Sequence, residues 1–366
     1  MKVLIFTAST GGGHKRAAAA LKEYFETHAG AEVMVKDGLE LGGRLYNGFV
    51  VNGYYFVAKH TPKFFGAIYR SSDKKSPMNG LCNSINNTRK KSLLPVINSF
   101  SPDVIISCHS FVTTMLGELK KKKLIDVPVI SLITDFKAHL TYISEGVDHY
   151  VVSSPEMVDD FKRRYGVERD KVHPFGIPVF ERFAAKTDKR ELRKKLGLDQ
   201  DKKTVLFMAG SFGVASVMVF YKEIASKLDD CQVVVITGNN KKLYDEFEKV
   251  ALKNTKLLMF VNNVEDYMHS SDLIITKPGG LTVSESLQCR LPMAIYSAYP
   301  GQETDNAEYL CSKGAAVVLD KNPADVVRGL ISNENSLEKM RRNCEKIYEG
   351  HSSEKILNLI KSIITE

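Results

Sequence analysis

Lys277-Pro278-Gly279-Gly280-Leu281-Thr282-Val283-Ser284-Glu285 is the stretch whose reading decides the fold. Before it, residues 272–276 (Asp-Leu-Ile-Ile-Thr) form a short β-branched apolar run, the pattern of a buried strand. After the Pro-Gly-Gly turn, residues 281–288 start a helix. Unpaired N–H groups and the dipole at such a helix start can hold a diphosphate. Glu285, one turn along, is placed to accept two hydrogen bonds from a ribose diol. A bare phosphate site has no need of that acid, whereas a nucleotide site does; the competing reading is an acid that only complements the dipole.

The same strand–turn–helix unit recurs outward from this point. In the second half, residues 204–209, 232–237, 256–260, 293–296 and 316–319 read as further buried strands, with helices over 215–227 and 242–253. In the first half, residues 3–6, 32–35, 104–108, 127–134 and 149–153 read as strands, and 15–27 as a helix with Ala17, Ala18, Leu21 and Phe25 on one face. Continuous apolar strands alternating with helices indicate an α/β fold with parallel sheets covered on both faces. The pattern restarts after residues 174–203, so two doubly wound, Rossmann-like domains are expected. Their boundaries are expected at 1–180 and 181–350, with an amphipathic segment at 351–366 packing back on the first domain. Such halves carry ligands at the carboxyl ends of their strands, facing a central cleft.

The 366 residues suffice for two cores, and 43% hydrophobic with 26% charged residues is an ordinary globular balance. No apolar run reaches the roughly 18 residues that span a bilayer. The apolar run at residues 3–6 is too short for a signal peptide and reads as the first strand, so a cytoplasmic protein is expected. Six scattered cysteines with no CxxC pair argue against a disulfide framework or a metal knuckle. The net charge of +8 is concentrated in residues 1–180, with 24 Lys and Arg against 17 Asp and Glu; the remainder carries 27 against 26. A basic first half suits an anionic partner without choosing between nucleic acid, lipid and acidic substrate.

Two more glycine turns follow strands. Thr10-Gly11-Gly12-Gly13-His14 opens the first helix, and Gly210-Ser211-Phe212-Gly213 follows the strand at 204–209. Asp37 stands where a dinucleotide-binding acid would, but the run His14-Lys15-Arg16-Ala17 breaks the G-x-G-x-x-G spacing. Beyond the strand at 293–296, Gly301-Gln302-Glu303-Thr304-Asp305-Asn306 gathers amides and carboxylates suited to sugar hydroxyls, or to plain N-capping.

Taken in order, GGGH (11–14), TDF-x-x-H (Thr134, Asp135, Phe136, His139), PFGIP (174–178), GSFG (210–213), KPGGLTVSE (277–285) and GQETDN (301–306) resemble glycosyltransferase family 28 over nearly the whole chain. Within it, the diacylglycerol branch of monogalactosyldiacylglycerol synthases and processive diacylglycerol glucosyltransferases is the most similar. The resemblance implies a GT-B fold, with donor bound by the C-terminal domain and acceptor by the N-terminal one. It implies that Gly279, Gly280, Leu281 and Thr282 meet the UDP phosphates, that Ser211 touches phosphate, and that Glu285 binds ribose. Val264 would lie near uracil, Gln302 and Asn306 would read the hexose, and Gly13 and His14 would line the catalytic end. His139 and Tyr142 are the expected acceptor contacts; the branch often carries Trp after the Asp–His segment, and this chain has none.

The expected reaction is an inverting transfer of glucose or galactose from a UDP-hexose to diacylglycerol, with no cofactor and no metal. Asp199-Gln200-Asp201 matches the usual metal signature only literally, in a polar connector. His14 is the first candidate for the base, because imidazole titrates near working pH, and Asp135 is the second. Between residues 42 and 80, Tyr54, Tyr55, Phe64 and Phe65 are interleaved with Arg44, Lys59 and Lys63. That mixture suits an anionic membrane surface, which implies a peripheral enzyme on the inner face of the cell membrane; buried helices are the plainer reading. No nucleic-acid motif accompanies these aromatics, and nucleic acid is not an expected partner. Open alternatives are an N-acetylglucosaminyl transfer to another acceptor, a UDP-sugar epimerase, and a non-catalytic nucleotide-sugar sensor.

Overall fold

The computed structural model describes residues 1–9, 12–43, 48, 61–74, 88–209, 214–296, 298 and 300–365. In chain order the first elements are β1 (Lys2–Thr7), α1 (Gly12–Ala29), β2 (Glu32–Asp37), α2 (Pro62–Ser72), α3 (Leu94–Phe100), β3 (Val104–Ser107), α4 (Ser110–Lys121), β4 (Val129–Leu132), β5 (His149–Val151), α5 (Pro155–Asp160) and β6 (Val172–His173). There follow α6 (Lys189–Lys195), β7 (Thr204–Met208), α7 (Val214–Ala225), β8 (Gln232–Ile236), α8 (Lys241–Glu248), β9 (Thr255–Leu258), α9 (Val264–Ser270), β10 (Leu273–Thr276) and α10 (Gly280–Gln288). The last are β11 (Met293–Ile295), α11 (Gln302–Ser312), β12 (Ala316–Val318), α12 (Pro323–Ser332), α13 (Glu334–Ile347) and α14 (Ser352–Thr365).

The strands form two six-stranded parallel sheets, ordered β2-β1-β3-β4-β5-β6 and β12-β11-β10-β7-β8-β9. Each order reverses once, between β1 and β3 in the first sheet and between β7 and β10 in the second. A crevice opens at the carboxyl ends of the strands at such a switch point. The GGGH turn follows β1 and the Lys277–Gly280 turn follows β10, so each glycine turn lies where its own sheet offers a crevice.

The chain divides into two compact units. Unit 1 comprises Met1–Glu181, Tyr299–Asp305 and Gly350–Glu366; unit 2 comprises Arg182–Ala298 and Asn306–Glu349. The division runs through α11. Unit 1 is built around Leu4, Phe6, Ile105, Met115, Val129 and Tyr150, and unit 2 around Val205, Phe207, Tyr221, Val235, Phe247 and Ile275. Within unit 1, α14 buries Ile356, Leu357 and Ile360, and the Ser352 hydroxyl donates to the Gly176 carbonyl at 2.7 Å.

Several elements differ from the sequence reading. Helix α1 starts at Gly12, so Gly13 and His14 lie in its first turn rather than in a preceding loop. Strand β9 ends at Leu258, short of the exposed Phe260, and the two-residue edge strand β6 carries too little pattern to read. Asp272, immediately before β10, is buried and ion-paired with Arg193 at 2.6 Å and Lys189 at 3.0 Å, and it accepts the Thr204 N–H at 2.8 Å. This knot ties α6, β7 and β10 together at the end of the sheet opposite the glycine turn.

Candidate active site

In unit 2 the site grows from β10. Helix α10 is N-capped by Gly279, which has no side chain to satisfy the first amides, and its first turn holds no acid. Other helices of this unit close the same position with a side chain: Asp188 for α6 and Asn240 for α8. The N–H groups of Gly280, Leu281 and Thr282 therefore have no partner within α10, and no acid in its first turn offsets the positive end of the dipole. A Cβ added at Gly279 would meet no described residue within 4 Å, so among the described residues the turn faces open space. Such a helix start suits an anion.

Two donor-side residues, Asn306 and Val264, sit differently from expectation, and Glu285 is buried. Asn306 is 1% exposed, and its Nδ2 donates to the Pro278 carbonyl at 3.0 Å. It braces the glycine turn from inside, which leaves its amide poorly placed to read a sugar. Val264 is the first residue of α9, not a loop residue, and its side chain is buried; only its backbone can face a ligand. Glu285 is 3% exposed and helps to push up the pKa of the neighbouring Cys289 thiol, after the effect of burial. Ser211 lies outside the described residues.

In unit 1 the site lies at the carboxyl ends of β1, β3 and β4. His14 is half-buried, and its Nδ1 is 3.0 Å from the Thr134 hydroxyl. Burial pushes its imidazole down to about 4, against a smaller opposing hydrogen bond with the Cys108 backbone. His14 is therefore neutral at physiological pH. Its ring meets His109 edge-on, with centroids 4.8 Å apart. His109 caps α4: its Nδ1 accepts the Phe111 N–H at 3.2 Å, so its proton sits on Nε2. Burial first, and His14 second, hold His109 well below the usual histidine range. Sequence reasoning missed His109, although a histidine directly after a strand at the switch point was a usable signal.

Asp135 follows β4. Its Oδ2 accepts the Gln302 Nε2–H at 3.1 Å and the Tyr142 hydroxyl at 3.4 Å. Tyr142 and His139 are buried, not exposed as direct acceptor contacts would be. His139 Nε2 donates to the Tyr69 carbonyl at 3.0 Å and its Nδ1 accepts the Thr141 N–H at 3.2 Å, so both ring nitrogens are engaged. Asp37 is similarly committed to its own turn: it accepts the N–H groups of Leu39 and Glu40 and the Ser9 hydroxyl. Asp199 accepts the Asp201 N–H at 2.9 Å while Asp201 pairs with Arg190, so this pair of acids serves a local turn. Of the expected membrane residues, Phe64 on α2 is exposed. Arg44, Tyr54, Tyr55 and Lys59, and the side chains of Lys63 and Phe65, lie outside the described residues. No helix among the described residues is long and apolar enough to cross a membrane.

Comparison with known proteins agrees with this architecture. Residues 14–179 match the family described as monogalactosyldiacylglycerol (MGDG) synthase, and residues 204–363 match the glycosyltransferase family 28 C-terminal domain. A further match, to CDP-glycerol:poly(glycerophosphate) glycerophosphotransferase, covers residues 130–276. The processive diacylglycerol beta-glucosyltransferase of Bacillus pumilus is 29% identical, over 97% of this chain and 93% of that protein. Among solved structures, MurG of Acinetobacter baumannii has a TM-score of 0.64 at 15% identity, covering 99% of both chains. The S. aureus MnaA–UDP co-structure has a TM-score of 0.64 at 16% identity, covering 100% of this chain and 98% of that one. These likenesses identify the two Rossmann-like units as a GT-B fold. The chain thus joins an MGDG-synthase-type first half to a glycosyltransferase family 28 second half, and it is a glycosyltransferase enzyme.

Proposed function

We propose that this enzyme transfers a hexose, glucose or galactose, from a UDP-sugar to diacylglycerol with inversion at the anomeric carbon, as a peripheral protein of the cytoplasmic membrane face. The observation that carries the donor half is α10: an uncapped helix start without acids, at the switch point of its sheet, behind a glycine turn facing open space. The names of the relatives, processive diacylglycerol beta-glucosyltransferases, support the acceptor half.

In this reading the N–H groups of Gly280, Leu281 and Thr282 take the diphosphate, Glu285 takes the ribose, and Gln302 reads the hexose. His14 is the base. As the acceptor oxygen bonds to the anomeric carbon, its proton passes to the imidazole, and the bond from that carbon to the diphosphate breaks. The departing charge moves onto the helix start, so no metal is required. A neutral His14 supports this assignment over Asp135, whose Oδ2 is already shared by Gln302 and Tyr142. Exposed Phe64, with Arg70 in the last turn of α2, supports contact with an anionic bilayer.

The test is to incubate the pure protein with UDP-glucose, UDP-galactose or UDP-N-acetylglucosamine and diacylglycerol vesicles, then weigh the lipid products. A hexosyl-diacylglycerol of inverted anomeric configuration is expected. Hydrolysis or epimerisation of the donor without any glycolipid sinks the proposal.

A further inference from the structure

The polar network around α2 and the first turn of α11 belongs to neither of the ligand contacts above. A Cβ built on Gly66 of α2 would stand 2.6 Å from the Pro300 side chain, and one on Gly301 would stand 3.0 Å from the Tyr69 ring. Gly301 has φ +113°, a conformation that other residues rarely adopt. Two glycines thus bring α2 and the 300–301 turn together more closely than side chains would allow.

Across that seam the Tyr69 hydroxyl donates to Asp305 Oδ2 at 3.3 Å, and Lys137 Nζ meets Asp305 Oδ1 at 2.6 Å. The Asp305 carboxylate is 16% exposed, and its own N–H closes on the Gly301 carbonyl at 3.0 Å. Gln302, three residues earlier on the same helical face, is the residue bonded to Asp135. The same, C-terminal end of α2 is pinned further at its cap. Asp73 accepts the Leu140 N–H at 2.8 Å and the Tyr165 hydroxyl at 2.7 Å, and it pairs with Arg164. The His139 ring packs on the Tyr69 ring with centroids 4.2 Å apart. The face of α2 that carries Phe64 remains exposed.

We propose that Asp305 is a positioning residue that locks α2 to Gln302, so that contact of α2 with the lipid surface and hexose reading by Gln302 are set by one joint. The proposal rests on the UDP-hexose and diacylglycerol reading above. Asp305 touches neither substrate in this account; it acts through Tyr69 and the first turn of α11. A lipid pressing on α2 shifts Tyr69, and the carboxylate passes that shift to Gln302.

The test compares Asp305→Ala, Asp305→Asn, Tyr69→Phe and Gln302→Ala. Titration calorimetry with UDP and with UDP-glucose separates diphosphate binding from hexose reading, and steady-state kinetics supply KM for each substrate. Asp305→Ala is expected to leave the Kd for UDP within twofold, to weaken UDP-glucose about tenfold, and to raise KM for both UDP-glucose and diacylglycerol. Losing a charge-assisted bond plus a neutral one is of that order. Gln302→Ala should raise KM for the donor alone. Tyr69→Phe should give a smaller change, about threefold, in the same direction, and Asp305→Asn, which can still accept the Tyr69 hydroxyl, should recover much of the loss. Unchanged UDP affinity shows that the variants fold. If Asp305→Ala keeps the wild-type preference for UDP-glucose over UDP, or alters only one of the two KM values, the proposal falls while the functional reading stands. If the wild type binds no UDP-hexose, the functional reading falls and takes this proposal with it.

Discussion

The depressed basicity of His14 makes a quantitative demand on the enzyme's response to acid. An ordinary histidine is half protonated at pH 6.5, whereas burial holds His14 neutral down to about 4. If His14 is the base, kcat/KM, which reports the free enzyme, should stay level from pH 7 to about 5. It should then fall tenfold per unit only below about 4. Stability does change across the window in which the rate stays level. The unfolded chain takes up a proton on this residue below pH 6.5 and the folded one does not, so folding free energy drains away between pH 6.5 and 4 and then levels off. Two and a half units at 1.36 kcal/mol each set a ceiling of about 3 kcal/mol, reduced by solvent reaching the half-buried ring. Rates must therefore be taken in brief pH jumps from pH 7, before unfolding intervenes. Removing the Thr134 hydroxyl (Thr134→Val) should leave the limb acidic, because burial dominates the shift. An acid limb centred between pH 6 and 7 in the jump assay, absent in His14→Gln, would refute the link between burial and base strength. A wild-type profile retained by His14→Gln would remove His14 from the base role.

Three further outcomes follow from named contacts. Asp272→Ala leaves Arg193 and Lys189 without their shared carboxylate, which should cost about 3–5 kcal/mol in denaturant melts of the enzyme. Burial would raise the Asp272 pKa, but Lys189, the Thr204 N–H and Arg193 together hold it below the ordinary value. Its stabilising effect is thus complete above about pH 4 and should vanish as pH falls through the lower folded value, a loss Asp272→Ala should not show. Asn306→Ala leaves the Pro278 carbonyl without its amide donor and should weaken UDP binding by about 1–2 kcal/mol in calorimetry, with hexose preference unchanged. Exhaustive chelation with EDTA should leave transfer rates unchanged in a product assay; a rate restored only by added divalent ions would overturn the helix-start account of leaving-group charge.

What could be read in advance depended on whether the signal was local. The strand, glycine turn and helix around residues 272–288 are contiguous, and period and composition sufficed to place them. The neighbours His109 and Thr134 reach His14 from the turns after β3 and β4, 95 and 120 positions along the chain, and no local pattern announces such meetings. Tyr69 and Asp305 are 236 positions apart, and each alone looks like an ordinary surface residue. The start of α9 at Val264 lacks a side-chain cap, so no local signal marks it. Asn306 shares a segment with Gln302, and the resemblance implies one task for both; burial sets Asn306 apart as a brace of the glycine turn. The serine of the GSFG turn and most of the aromatic–basic stretch lie outside the described residues.

The division that passes through α11 has a consequence for anyone recombining members of this family. A donor half swapped at the boundaries suggested by sequence, near residues 181 and 350, would import a foreign first turn of α11 and lose the native Gln302 and Asp305. That hybrid would pair one parent's Tyr69, Lys137 and Asp135 with another parent's partners. A graft that keeps residues 299–305 with the first half, and exchanges only 182–298 and 306–349, respects the grain of the molecule. Donor preference would then travel with the graft only insofar as it is written outside that seven-residue insert.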